Sequence, residues 1–219
     1  MIKAVVIDVD DTLCLTEVAC FNLENEVLRR MGRYPMSREV HLATWGRPLF
    51  DAMLERSPGV NIEHFIAEFQ PVIAEFIESG KLDVIPDENY YALDKLIKSG
   101  KAIIILTSRT QHELKHMLMS DHLLASRVKT IYHKGNTKFH KPDPRAFDEL
   151  FADYQFAPNQ CVYIGDSPTD AYAAIGAGMK FIATMESGLR QKSDFDDYDV
   201  DVFVDSFPEI TAAINGIDK

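Results

Sequence analysis

The chain has 219 residues, 46% of them hydrophobic and 26% charged, with a formal net charge of -11. That length and composition allow a sizeable core and exclude a disordered or low-complexity chain; the acidic balance excludes a general binder of nucleic acid or anionic membrane, which needs a basic face to displace counterions. Cys14, Cys20 and Cys161 are odd in number and unpatterned, and no apolar run approaches the ~20 residues of a membrane span, so the chain reads as cytoplasmic with reduced thiols.

In chain order, the first predicted element is a strand at Ala4 to Ile7, a short apolar run that ends in acids. From Leu15 to Val84 no strand pattern occurs. Amphipathic helices run instead through FNLENEVLRRMG, REVHLATW, LFDAMLERS and IEHFIAEFQPVIAEFIESG, the last interrupted by Pro71. That stretch of about 70 residues far exceeds an ordinary crossover, so residues 15–84 read as an inserted all-helical module. Ile85-Pro86 marks the return to the core. A helix follows in ENYYALDKLIKSG, with Tyr91, Leu93, Leu96 and Ile97 at helical spacing and Gly100 as its stop. Further strands are predicted at Ala102 to Leu106, Val128 to Tyr132, Cys161 to Ile164 and Phe181 to Ala183, and the acidic run DFDDYDVD at 194–201 reads as a solvated loop. Alternating strands and helices imply a doubly wound α/β core with a parallel, Rossmann-like sheet, built from residues 1–14 and 85–219.

In such sheets ligands bind at the carboxyl ends of the strands. The residues placed there are Asp8 to Thr12, Thr107-Ser108-Arg109 and Gly165-Asp166-Ser167. Asp8, Asp10 and Asp11 fall within four positions, and two carboxylates about 4 Å apart repel by roughly 4 kcal/mol at an effective dielectric near 20. A cation or a held proton is therefore required. Asp166 ends a strand and Asp170 opens a helix, so a short loop can aim both at the first acidic group. Mg²⁺, a hard octahedral cation, suits Asp8, Asp166 and Asp170 with a main-chain carbonyl of Asp10. Phosphoryl chemistry also needs a nucleophile, a proton donor and positive groups; Asp8, Asp10, the Thr107 hydroxyl and the Lys141 ammonium are the candidates.

DVDDT, then IIILT, then Lys141 in KPDP, then GDSPTD, in that order and spacing, resemble the four motifs of the haloacid dehalogenase-like hydrolase superfamily. The helical insertion directly after the first motif, and DAYAAIGAGM after the last, are similar to its branch of phosphoglycolate phosphatases and beta-phosphoglucomutases. The resemblance covers almost the whole chain. It implies that Asp8 attacks phosphorus to form an aspartyl-phosphate and that Asp10 protonates the leaving oxygen and then activates water. It further implies that Thr107 and Lys141, with Ser108 beside them, bind the phosphoryl group, and that Asp8, Asp10, Asp166 and Asp170 hold Mg²⁺. Leu15 stands where the branch is commonly acidic, and Asp87 where a glycine often follows the proline.

The expected activity is hydrolysis of a small phosphate monoester. Asp10 favours phosphate over halide, since the dehalogenases lack that acid. No lysine occurs between Lys3 and Lys81, against a Schiff-base lysine in the insertion. Cys20 stands where hexose-phosphate mutases carry a histidine, which favours hydrolysis over transfer. A phosphomutase and a non-enzymatic phosphoacceptor module are the alternatives. Substrate choice is expected in the helical module, where Gly46 and Pro48 make a turn in Trp45-Gly46-Arg47-Pro48-Leu49 and Arg47 offers a guanidinium to an anionic group. The expected partner is a small phosphorylated metabolite.

Overall fold

Four segments with apolar side chains at helical spacing follow the first strand, and they fold as helices that share one core. A computed structural model describes residues 1–45 and 47–218 and divides into two units, Met1–Leu15 with Ile85–Lys219, and Thr16–Val84. Leu15 falls with the sheet.

The helical unit contains α1 (Thr16–Arg30), α2 (Arg38–Ala43), α3 (Leu49–Arg56) and α4 (Ile62–Glu78). Leu23, Val27, Met53, Phe65 and Val72 form its centre. Asn61 caps α4 by accepting from the His64 amide at 2.9 Å. The expected interruption at Pro71 does not occur: α4 runs through it. Pro71 and Ala67, whose carbonyl loses a donor, are both exposed, so the break in the ladder falls on the solvent side while Phe65, Val72 and Phe76 keep the helix packed.

Beside that apolar centre lies a buried ionic network. Glu24 takes both contacts from Arg56 Nη1, at 2.8 and 2.6 Å, and Arg56 Nε donates to Thr44 Oγ1 at 2.7 Å. His41 Nδ1 lies 2.6 Å from Glu17 Oε1, and Arg38 also pairs with Glu17. Two carboxylates thus meet two guanidinium groups.

The other unit is a six-stranded parallel sheet of β1 (Ala4–Ile7), β2 (Ala102–Leu106), β3 (Thr130–Tyr132), β4 (Cys161–Gly165), β5 (Lys180–Thr184) and β6 (Val202–Val204), in the order β3-β2-β1-β4-β5-β6. Its helices are α5 (Asp87–Lys98), α6 (Asp148–Tyr154), α7 (Pro168–Gly176) and α8 (Ile210–Ile217). Strand residues alternate between two cores. Val5, Ile7, Ile105 and Ile164 pack with Leu93 and Phe207, whereas Val6, Ile104, Tyr163 and Phe181 pack with Phe147 and Ala174. The order reverses about β1, so the crevice between β1 and β4 is the switch point of the sheet.

Several boundaries differ from expectation. β3 begins at Thr130 rather than Val128, because its three residues suffice to pair with β2. In α5 the buried face is Tyr90, Leu93 and Leu96, while Tyr91 and Ile97 are exposed. The acidic run 194–201 is not wholly solvated: Phe195 is buried, Tyr198 and Val200 pack on the core, and the Asp201 carboxylate accepts from Lys180 Nζ and the Phe181 amide. It leads directly into β6, a three-residue strand that is absent from the expected set.

Candidate active site

β1 delivers Asp8 to the switch point, where the Asp8 amide donates to the Ile164 carbonyl of β4 at 2.9 Å. The chain then reverses at once. Asp11 takes a left-handed conformation, φ 54°, which Asp tolerates better than most residues, and the amides of Leu13 and Cys14 both return to the Val9 carbonyl. This turn buries Asp8 and Asp11 and leaves Asp10 partly exposed.

β4 ends at Gly165, and Asp166 follows it. Ser167 caps α7, its hydroxyl donating to Asp170 Oδ2 at 2.6 Å, so the Asp170 side chain is aimed back at the strand end. Gly165 allows this return: a Cβ there would lie 2.6 Å from Asp170 Cβ and 2.7 Å from its Oδ2. As a result, Asp8, Asp166 and Asp170 are all buried and offer carboxylate oxygens within 4.8 Å of one another.

One ammonium enters this group. Lys141 Nζ stands 2.8 Å from Asp8 Oδ1 and 2.7 Å from Asp170 Oδ1. It also donates to the Tyr163 hydroxyl at 2.8 Å, which in turn donates to the Leu106 carbonyl at 3.0 Å. The segment that carries Lys141 is held against α7 by a close approach, since a Cβ on Gly176 would lie 2.6 Å from Pro144 Cγ.

Three carboxylates against one ammonium leave negative charge uncompensated. Burial first, then the neighbouring Asp170 and Asp10 charges, push Asp8 up to about 7 in spite of Lys141. Burial and the charges of Asp170, Asp8 and Asp11 push Asp166 up to about 8. For Lys141, burial is opposed and outweighed by Asp170 and Asp8, which hold it well above its ordinary value, so it stays an ammonium. A set of buried carboxylate oxygens with excess negative charge fits a hard divalent cation.

Thr107 follows β2, its amide bonded to the Tyr132 carbonyl at 3.0 Å. Its Oγ1 accepts from the Arg109 amide at 3.1 Å, which turns the O–H away from that amide. Ser108 beside it is exposed. The Arg109 guanidinium contacts Asp10 Oδ1 through Nε at 3.0 Å and Nη2 at 2.9 Å. Arg47 belongs to the helical unit, where it is exposed and paired with Glu55 at 2.7 Å. The turn expected at Gly46 lies outside the described residues.

Arg109 and Ser167 stand among the strand-end residues that the sequence placed at the site, without a role assigned to them, whereas Tyr163 was missed; its signal is a lone hydroxyl in the strand CVYIG, which must find a partner once buried.

The family model for haloacid dehalogenase-like hydrolases matches residues 5–184. The chain belongs to that family. No curated relative matches it. Among solved structures, this haloacid dehalogenase-like chain is similar to a candidate beta-phosphoglucomutase from Thermotoga maritima (TM-score 0.79, 20% identity, covering 98% of this chain and 99% of that one). It is also similar to a haloacid dehalogenase-superfamily hydrolase of subfamily IA from Geobacter sulfurreducens (TM-score 0.73, 20% identity, covering 99% and 96%). A third is CbbY from Rhodobacter sphaeroides, solved with phosphate (TM-score 0.67, 19% identity, covering 98% and 100%). These likenesses establish the fold. Among the described residues no helix is long and apolar enough to cross a membrane.

Proposed function

We propose that this haloacid dehalogenase-like hydrolase is a Mg²⁺-dependent phosphatase acting on a small phosphate monoester. The observation that carries the reading is the buried group Asp8, Asp166 and Asp170 with a single ammonium, Lys141, among them. Asp8, Asp166 and Asp170, with the Asp10 main-chain carbonyl, would hold Mg²⁺. When bound, that ion supplies the positive charge that both the carboxylates and the phosphate oxygens need.

Asp8 is the nucleophile: its carboxylate attacks phosphorus and forms an aspartyl-phosphate as the leaving oxygen departs. Asp10 gives that oxygen its proton, then as a carboxylate takes a proton from the water that hydrolyses the intermediate. Lys141, anchored by Tyr163, stays charged and faces the transferring oxygens, and the Thr107 hydroxyl and Ser108 complete the cradle. Because Asp8 rises to about 7 when the site holds only protein charges, cation binding and release of its proton go together.

The unit Thr16–Val84 serves as a cap that selects the leaving group, with Arg47 offered to an anionic substrate. The solved relative holding phosphate supports a phosphorylated small molecule as ligand. Phosphate release from a panel of phosphate monoesters, with Mg²⁺ and with EDTA, tests the reading. Release by the wild type with Mg²⁺ alone is expected. Transfer of the phosphoryl group to a second sugar phosphate without net release would replace hydrolysis with a mutase reaction.

A further inference from the structure

The carboxyl end of the sheet is divided by charge. Within three positions past each strand, in sheet order, the charged side chains are Lys134 after β3, Arg109 after β2, Asp8 and Asp10 after β1, Asp166 after β4, Glu186 after β5 and Asp205 after β6. Cations follow the two strands on one side of β1, and acids follow the three on the other. Lys141 arrives from the cationic side: residues 133–142 run from the end of β3 into the site and hold Lys134, Lys138 and Lys141 with no acid, in a chain where acids outnumber basic residues 34 to 23. Glu113, the one acid between β2 and residue 120, is turned onto the Thr110 amide and hydroxyl, at 2.7 Å each.

Arg109 and Lys141 are paired with acids of the site. Lys134 and Lys138 are exposed and take part in no ion pair among the described residues, Lys138 resting over the Phe139 ring at 5.2 Å. Their backbone is fixed. The Lys134 amide donates to the Arg109 carbonyl at 3.2 Å, the Asn136 side chain bridges the His133 amide and the Ile131 carbonyl at 2.7 and 2.9 Å, and the Lys138 amide donates to Glu149 Oε1 at 2.9 Å. Lys138 stands three positions before Lys141, so their Cα atoms are at most about 11 Å apart, close to the Debye length of about 10 Å in 0.1 M salt. We propose that Lys134 and Lys138 are binding residues that draw the phosphate dianion of the substrate into the site from the β3 side. A dianion that approaches a chain of net charge -11 is repelled from most directions, and the acids past β1, β4, β5 and β6 oppose it at the site. Two unpaired ammonium groups on one flank give it a favourable approach. They act on the approach and not on bond-breaking. This inference rests on the phosphatase reading and adds the side and the charges by which its substrate arrives.

The test is the salt dependence of a charge reversal, with the best monoester of the panel as substrate and inorganic phosphate as inhibitor. For Lys134→Glu/Lys138→Glu, kcat/KM is expected to fall about tenfold in about 0.05 M salt and under about twofold in about 1 M salt, where the Debye length is about 3 Å. The loss should lie in KM with kcat little changed, and the inhibition constant of phosphate should rise by the same factor. Lys134→Gln/Lys138→Gln should fall between this variant and the wild type. Lys95→Glu/Lys98→Glu makes the same change of net charge on the exposed face of α5, which leads to the amino end of β2, and should lose under about twofold in either salt. Equal losses in the two reversals would reduce the effect to net charge, and a loss in kcat or one that persists in about 1 M salt would assign the lysines to structure; either result overturns the inference. If the wild type releases phosphate from no monoester, the phosphatase reading fails instead. The affinity of each variant for inorganic phosphate, measured by calorimetry in both salts, then decides the inference separately: the same salt-dependent loss in Lys134→Glu/Lys138→Glu alone upholds it, and unchanged affinity overturns it.

Discussion

The two units each bury a group of charged side chains, and the groups differ in how they are balanced. In the helical unit Glu17 and Glu24 meet Arg38 and Arg56, with His41 beside both carboxylates, so the charges are matched by the chain itself. In the sheet unit Lys141 is the only cation paired with the group Asp8, Asp166 and Asp170 among the described residues. A matched network fixes the packing of its helices. An unmatched one is kept only where something else supplies the missing charge, and burial there raises Asp8 and Asp166 to about 7 and 8. Buried charge alone therefore does not mark a site; buried imbalance does.

The comparison breaks most visibly under substitution of one partner. Arg56→Met leaves Glu24 buried without its guanidinium, with only the His41 ring 3.4 Å away, and should cost about 3–5 kcal/mol in urea unfolding of the helical unit. Asp8→Asn removes one charge from the crowded group and should leave stability unchanged or raise it; a comparable loss in both variants would erase the distinction. Gly165→Ala forces a methyl against Asp170, whose Cβ lies 2.6 Å from the added carbon. About 1–3 kcal/mol of stability should go with it, together with weaker Mg²⁺ binding measured by calorimetry.

The imbalance also predicts a pH dependence of stability. Asp8 and Asp166 have folded values of about 7 and 8, against about 4 for an unfolded aspartate. Because the folded metal-free chain binds more protons than the unfolded chain between those limits, its stability is greatest below about pH 4 as far as these groups are concerned and is lost as pH rises through 7 and 8. Saturating Mg²⁺ should flatten that fall. Thermal melts across pH 5 to 9 (roughly the span that brackets both groups), with and without Mg²⁺, check it, and parallel curves would contradict it. The smallest effect is expected at Arg47. Its exposed pair with Glu55 contributes under about 1 kcal/mol, so Arg47→Ala should leave the melt unchanged and raise KM for an anionic substrate.

Much of the fold was legible because β1, β2 and β4 are buried on both faces and therefore read as unbroken apolar runs that stop at Asp8, Thr107 and Asp166. The carboxyl-end rule then points to one crevice. What was not legible depends on distant partners. β6 is three residues beside an acidic run, and it becomes a strand by pairing with β5. Pro71 is tolerated because its side of α4 faces water, a fact of packing and not of periodicity. Tyr163 bonds to Lys141, 22 positions away, and Arg109 contacts Asp10, 99 positions away, and no local pattern announces either pairing.

The central claim is that Asp8 carries the phosphoryl group. Mixing the Mg²⁺-loaded enzyme with its best substrate, quenching in acid within one turnover and locating the added phosphoryl group by peptide mass spectrometry addresses it directly. The account predicts a transient label on the peptide that contains Asp8, longer-lived in Asp10→Asn and absent in Asp8→Asn. Turnover with no label, or with the label on another residue, would contradict it.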